Sequence, residues 1–75
     1  MQKNYIEVTI TNITEEQSEI LIAQLSALGF YGFEEEENIL KAFIYEEEFS
    51  ETELKEIFEH FEVQYSMQTL SLIHI

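Results

Sequence analysis

Apolar residues recur along this chain with two different periods, and the order in which those periods alternate is the strongest constraint on its fold. Tyr5-Ile6-Glu7-Val8-Thr9-Ile10-Thr11 alternates strictly, with Ile6, Val8 and Ile10 on one side, as in a half-buried strand. Thr14 with Gln17 three residues on forms a capping box, and Glu15 and Glu16 sit where a helix N-terminus favours negative charge. Leu21, Leu25 and Leu28 then follow at helical spacing, and Gly29 stands where a left-handed cap belongs. The first helix is expected over residues 15–28. Phe30 to Glu35 is short and aromatic and predicts a second strand, with Gly32 as a bulge position. Glu36-Glu37-Asn38 is the expected turn, because Asn tolerates positive φ.

Ile39 to Tyr45 alternates again and predicts a third strand, with Leu40, Ala42 and Ile44 inward and Lys41, Phe43 and Tyr45 outward. Ser50 with Glu53 predicts a second capping box, and Phe49 before it can staple onto Leu54. Leu54, Ile57, Phe58 and Phe61 complete the stripe of a second helix. Val63, Tyr65 and Met67 alternate as a last strand. Leu70 and Leu72 fall on the other parity, which predicts a bulge or strand end near Gln68.

Strand, helix, strand, strand, helix, strand is the split βαβ order. The fold class expected is α+β, ferredoxin-like (βαββαβ), and right-handed crossovers place two helices on one face of a four-stranded antiparallel sheet. The core then takes Ile6, Val8 and Ile10 from the first strand, Leu21, Leu25 and Leu28 from the first helix, and Leu40, Ala42 and Ile44 from the third strand. Leu54, Ile57, Phe58 and Phe61 of the second helix and Val63 and Tyr65 complete it. The opposite sheet face has no element left to cover it. Tyr5, Glu7, Thr9, Lys41, Phe43 and Tyr45 are expected there.

Seventy-five residues make one domain, 1–75, with no room for a second. A chain near this size buries only ~60% of the surface it exposes unfolded, so its stability is modest. Cys is absent, which excludes disulfides, a thiolate zinc site and a cysteine nucleophile. His60 and His74 are the only imidazoles and have no metal-ligand spacing around them; His60 belongs to the polar side of the second helix. Gly29 and Gly32 are isolated, so no phosphate-cradling loop is expected. Contiguous Glu in Glu34 to Glu37 and Glu46 to Glu48 lacks the Asp, Asn and Gly alternation of a calcium loop. No apolar run reaches the length of a membrane span, and the N-terminus lacks the apolar core of a signal peptide; the expected compartment is the cytoplasm.

Charge narrows the partner class. Three Lys stand against 16 acidic residues, all Glu, with no Arg, for a net charge of −13. Such a chain repels a polyanion and lacks the guanidinium fork that reads phosphate and guanine, so direct nucleic-acid binding is disfavoured. RNA-recognition domains share the topology, but their third strand is basic and carries Gly. Ile39 to Tyr45 has one Lys and no Gly. The candidate site residues are therefore protein-docking ones: Tyr5, Phe43 and Tyr45 on the open sheet face, with Glu34, Glu35, Glu36, Glu37, Glu46, Glu47 and Glu48 supplying an acidic field that steers a basic partner. No catalytic, cofactor or metal residue is assigned.

Several short segments, in order and at matching spacing, resemble a known family. They are Tyr5-Ile6-Glu7-Val8, Leu28-Gly29-Phe30, Gly32-Phe33-Glu34-Glu35-Glu36, Leu40-Lys41-Ala42-Phe43, Glu46-Glu47-Glu48-Phe49 and Tyr65-Ser66. Together they are similar to the N-terminal domain of the bacterial methyltransferase that modifies ribosomal protein eleven of the large subunit. The resemblance covers about residues 5–67. It implies a ferredoxin-like substrate-recognition domain that grips a basic ribosomal protein, joined through a linker to a catalytic domain that uses S-adenosylmethionine. Nothing here matches that catalytic domain, so this chain alone is expected to do no catalysis and to bind no S-adenosylmethionine. Residues 69–75 would begin the linker, although the Asn-Trp pair of the family is absent there. Two other readings remain beside it: a small-ligand regulatory domain of the same topology, and a structural or oligomerisation module.

Overall fold

A computed structural model describes residues 4–71, with Ser71 described by its backbone alone. Leu72, His74 and the far end of the 69–75 segment lie outside the described residues. The order is β1 (Asn4–Thr11), α1 (Glu15–Ala27), β2 (Gly32–Glu36), β3 (Ile39–Tyr45), α2 (Glu51–Phe61) and β4 (Gln64–Ser71), with a 3₁₀ turn at Glu46–Glu48. All pairings are antiparallel, and the strands lie in the order β2-β3-β1-β4. This is the ferredoxin-like arrangement. No helix among the described residues is long and apolar enough to cross a membrane.

Each element follows from its local chemistry. The Thr14 hydroxyl accepts the Gln17 N–H at 3.1 Å and the Gln17 side chain accepts the Thr14 N–H at 3.0 Å, so the α1 capping box closes. At its other end, Gly29 N–H donates to the Ser26 carbonyl and Phe30 N–H to the Leu25 carbonyl. That pair of bonds is a Schellman cap, and it needs the φ of +105° that Gly29 adopts without a Cβ penalty. Asn38 takes φ 63° in the tight turn between β2 and β3. The α2 helix ends on Glu62 in the left-handed region, a conformation that costs a non-glycine residue about 1 kcal/mol.

Ile6, Val8, Ile10, Leu40, Ala42 and Ile44 are buried beneath Leu21, Leu25, Leu54 and Phe58. Leu28, Ile57, Phe61, Val63 and Tyr65 pack around them only half-buried. Two residues outside the expected core are fully inside it, Ile13 in the β1–α1 loop and Phe30 after the Schellman cap. A hydrophobic residue at that cap position characteristically folds back on the helix, and Leu25 is there to meet it.

Four expectations about detail are corrected. The β2 strand starts at Gly32 rather than Phe30, because Phe30 is occupied in capping α1. Gly32 makes no bulge; it pairs in register with Phe43, whose ring lies 3.7 Å from where a Gly32 Cβ would stand. Of the second capping box only one bond forms, from Glu53 N–H to the Ser50 hydroxyl at 3.4 Å. Finally, β4 pairs with β1 without interruption from Thr11↔Gln64 to Asn4↔Ser71, so there is no bulge at Gln68, and Val63 precedes the strand. The change of parity at Leu70 has another cause: Leu70 sits opposite Tyr5 on the open face.

Replacing Ser50 by alanine should lower stability by ~0.5–2 kcal/mol, at the low end given the 3.4 Å bond. Phe49, half-buried against the core, still anchors the entry to α2. A thermal melt that overlays the parent would show that the hydroxyl does not hold this helix start.

Candidate functional site

The register places every outward side chain in rows across the sheet. Tyr45, Tyr5 and Leu70 form one row; Gly32, Phe43, Glu7 and Gln68 the next; then Glu34, Lys41, Thr9 and Ser66; then Glu36, Ile39, Thr11 and Gln64. Period 2 in β1 and β3 forces this face to be the one the helices do not cover. Its aromatic residues gather at one end. The Tyr5 and Phe43 rings are 6.1 Å apart and tilted, and Tyr31 stacks on Tyr45 at 4.6 Å. Both separations fall in the range where aromatic pairs attract beyond simple area burial. The three aromatic site residues expected from sequence, Tyr5, Phe43 and Tyr45, do come together.

Tyr31 and Leu70 join them unforeseen. Tyr31 precedes the first paired residue of β2, so strand parity does not govern its side chain. Its N–H donates to the Phe43 carbonyl at 2.9 Å, which holds its ring against Tyr45 while half of the residue, 52%, stays exposed. Packing against the cluster strips water from the hydroxyl and raises its pKa above the ordinary tyrosine value, with Tyr45 and then Tyr5 adding smaller electrostatic contributions. A raised value means the neutral form is favoured in the folded protein. The stack therefore contributes fully below about pH 10 and is lost as pH rises through the elevated value. For Leu70 the sequence did carry a signal, its broken parity.

The seven candidate glutamates do not form one patch. Glu34 and Glu36 face the open side, whereas Glu35 turns to the helix side and accepts the Ser18 hydroxyl at 3.0 Å. Glu37 lies in the turn. Glu46, Glu47 and Glu48 form the 3₁₀ turn at the far end of β3, where Asn4 Nδ2 donates to Glu46 Oε1 at 3.3 Å. Six residue steps of β3, about 20 Å, separate Glu36 opposite Ile39 from Tyr45, more than twice the ~8 Å Debye length of physiological salt, whereas Glu34 opposite Lys41 is four steps, about 14 Å, from Tyr45. The Glu46–Glu48 group borders the aromatic cluster because it follows Tyr45 directly, and Glu34 borders it as the diagonal neighbour of Phe43. Glu7 adds a carboxylate beside Phe43 in the second row.

On the helix side, two open hollows show no comparable convergence. One of about 450 Å³ lies at the α1 N-terminus among Thr14, Ser18, Glu35 and Glu37, and one of about 420 Å³ lies between the helices beside Glu53, Glu56 and the exposed His60. Among the described residues no group of three or more His, Cys, Asp or Glu could hold a metal ion. What the open face can do is bury aromatic surface against a partner and receive cations over ring faces and beside carboxylates. No family model, curated protein or solved structure matches this chain.

Proposed function

We propose that this chain is a recognition module that docks a basic protein on the open face of its sheet. The observation that carries the reading is an uncovered cluster of Tyr5, Tyr31, Phe43 and Tyr45 in a chain of net charge −13, bordered by Glu7 and by Glu46 to Glu48. Aromatic residues anchor interfaces because they bury much area at little entropic cost, while rim carboxylates set how quickly an oppositely charged partner arrives. Lysine and arginine side chains fit both parts, over the rings and against the carboxylates.

The family resemblance supplies the partner's class, a basic ribosomal protein of the large subunit, and the compartment, the cytoplasm. In that reading the chain is the substrate-recognition domain of a ribosomal-protein methyltransferase. Methyl transfer from S-adenosylmethionine belongs to a separate domain of the same polypeptide, and this domain positions the substrate.

Binding kinetics of the purified chain with large-subunit ribosomal protein eleven test the proposal. Phe43→Ala removes the ring at the centre of the cluster and should speed dissociation about tenfold or more, the loss typical of a central aromatic anchor. A dissociation rate equal to that of the parent would remove the open face from the interface. Absence of any binding by the parent would remove the partner.

A further inference from the structure

The open face carries its charges in a fixed order along the strands. Beyond the row of Tyr45, Tyr5 and Leu70 comes Glu7, directly opposite Phe43, and one row further comes Lys41, directly opposite Thr9. The carboxylate and the ammonium are thus diagonal neighbours on β1 and β3, about 7–8 Å apart at their Cβ atoms. These are the two inner strands of the sheet, and both residues are half-buried. Lys41 is out of place by charge alone. The chain has three Lys against 16 Glu, and a cation at the centre of a face that receives a basic protein works against the attraction. Its use within the fold would be to offset a carboxylate. Glu34 stands directly opposite it on β2 and Glu7 lies on the diagonal. Yet among the described residues neither Lys41 nor Glu7 forms a hydrogen bond or an ion pair. Lys55, by contrast, pairs with Glu51 on α2 at 4.0 Å.

We propose that Lys41 sets the orientation of the basic partner on this face, by seating one of its acidic side chains while Glu7 seats a lysine or arginine one row away. The proposal rests on the docking reading and adds to it what the partner's surface must carry. Opposite the aromatic row it needs an apolar patch, opposite Glu7 a cation and opposite Lys41 an anion, with about 7 Å between rows. Paired inner strands hold that spacing rigid, which a turn or a long exposed side chain does not. A partner docked end for end brings its cation onto Lys41 and its anion onto Glu7. Both are like-charge contacts in a surface losing its water, so that orientation is rejected. The labour is divided by position. Exposed carboxylates at Glu46 to Glu48 draw the partner in, and the Glu7–Lys41 diagonal selects the register in which it stays.

Dissociation from the basic ribosomal protein, compared between charge variants at Lys41 and Lys55, is the test. Lys41→Glu and Lys55→Glu each turn one charge of +1 into −1 and move the net charge from −13 to −15, so bulk attraction to a basic protein rises equally in both. Lys41→Glu should nevertheless dissociate at least tenfold faster than the parent, as when one member of a covered charge pair is removed. Lys55→Glu, on the helix side, should dissociate no faster than the parent, and Lys41→Arg, which keeps the charge, should retain most of the parent's residence time. Should Lys41→Glu fold poorly beside Glu34, Lys41→Gln removes the cation without adding repulsion and should also speed release. A Lys41→Glu chain that binds as tightly as the parent or more tightly overturns the proposal. The docking reading survives that result if Phe43→Ala still speeds release. A parent that does not bind, or a dissociation rate indifferent to Phe43→Ala, removes the docking reading and this proposal with it.

Discussion

Phe58→Ala is expected to remove a large part of this domain's stability. Phe58 is 3% exposed, and its ring lies 4.2 Å from that of Tyr65, tilted by 40°. It thus joins α2 to the edge strand β4. Truncating a buried Phe costs ~3–5 kcal/mol through lost transfer energy and the cavity left behind. The lost ring pair contributes to the same figure. At the usual ~0.05–0.15 kcal/mol per residue, a chain of this length has only about 4–11 kcal/mol in total. Urea melts should show a midpoint shifted strongly toward zero denaturant, with the chain already unfolded if its total lies at the low end of that range. Phe61→Ala, at a half-buried position of the same helix, should cost visibly less. A loss below about 1 kcal/mol for Phe58→Ala would mean that α2 does not pack through this ring.

Charge reversal at Glu46, Glu47 and Glu48 is expected to slow association with the basic partner about tenfold and to flatten its salt dependence. The expectation comes from position. These carboxylates adjoin Tyr45 and the aromatic cluster, whereas Glu36 and Glu37 lie about 20 Å away at the other end of β3 and Glu34, opposite Lys41, about 14 Å from Tyr45. Replacing either trio by Lys moves the net charge by the same amount, from −13 to −7, since three charges of −1 become three of +1. The pair of triple variants therefore separates local steering from bulk charge. Steered encounter gains a factor of 10–10³ from a field focused on the docking surface, and salt removes it. Stopped-flow association should thus be slowed strongly by the first trio and weakly by the second. Equal slowing would assign the effect to net charge alone. No slowing by either, with no response to salt, would leave the acidic composition as a matter of solubility. Glu35 is kept out of the second trio because its bond to Ser18 ties β2 to α1, so its loss would mix stability with binding.

The order of elements, the inward faces of β1 and β3 and the start of α1 were all legible in the chain because each depends on neighbours within a few residues. A strand's period of two decides which side Ile6, Val8 and Ile10 face whatever pairs with them, and a capping box is complete within four residues. The same locality made Gly29 and Asn38 readable, since positive φ is a demand on single residues. Tyr5, Phe43 and Tyr45 could be placed on one face for that reason too.

Tertiary structure decided what depends on residues far apart in sequence. Pairing of β1 with β4 moved Leu70 to the open face beside Tyr5 and removed the bulge that its parity suggested. The bond from Tyr31 N–H to the Phe43 carbonyl placed the Tyr31 ring on Tyr45, fourteen residues away. Seven glutamates gathered within fifteen residues were spread along a rigid strand, because a segment compact as text becomes extended at about 3.4 Å per residue once it is β. Charge composition is a property of the chain, but the distance between charges belongs to the fold, and screening acts on distance.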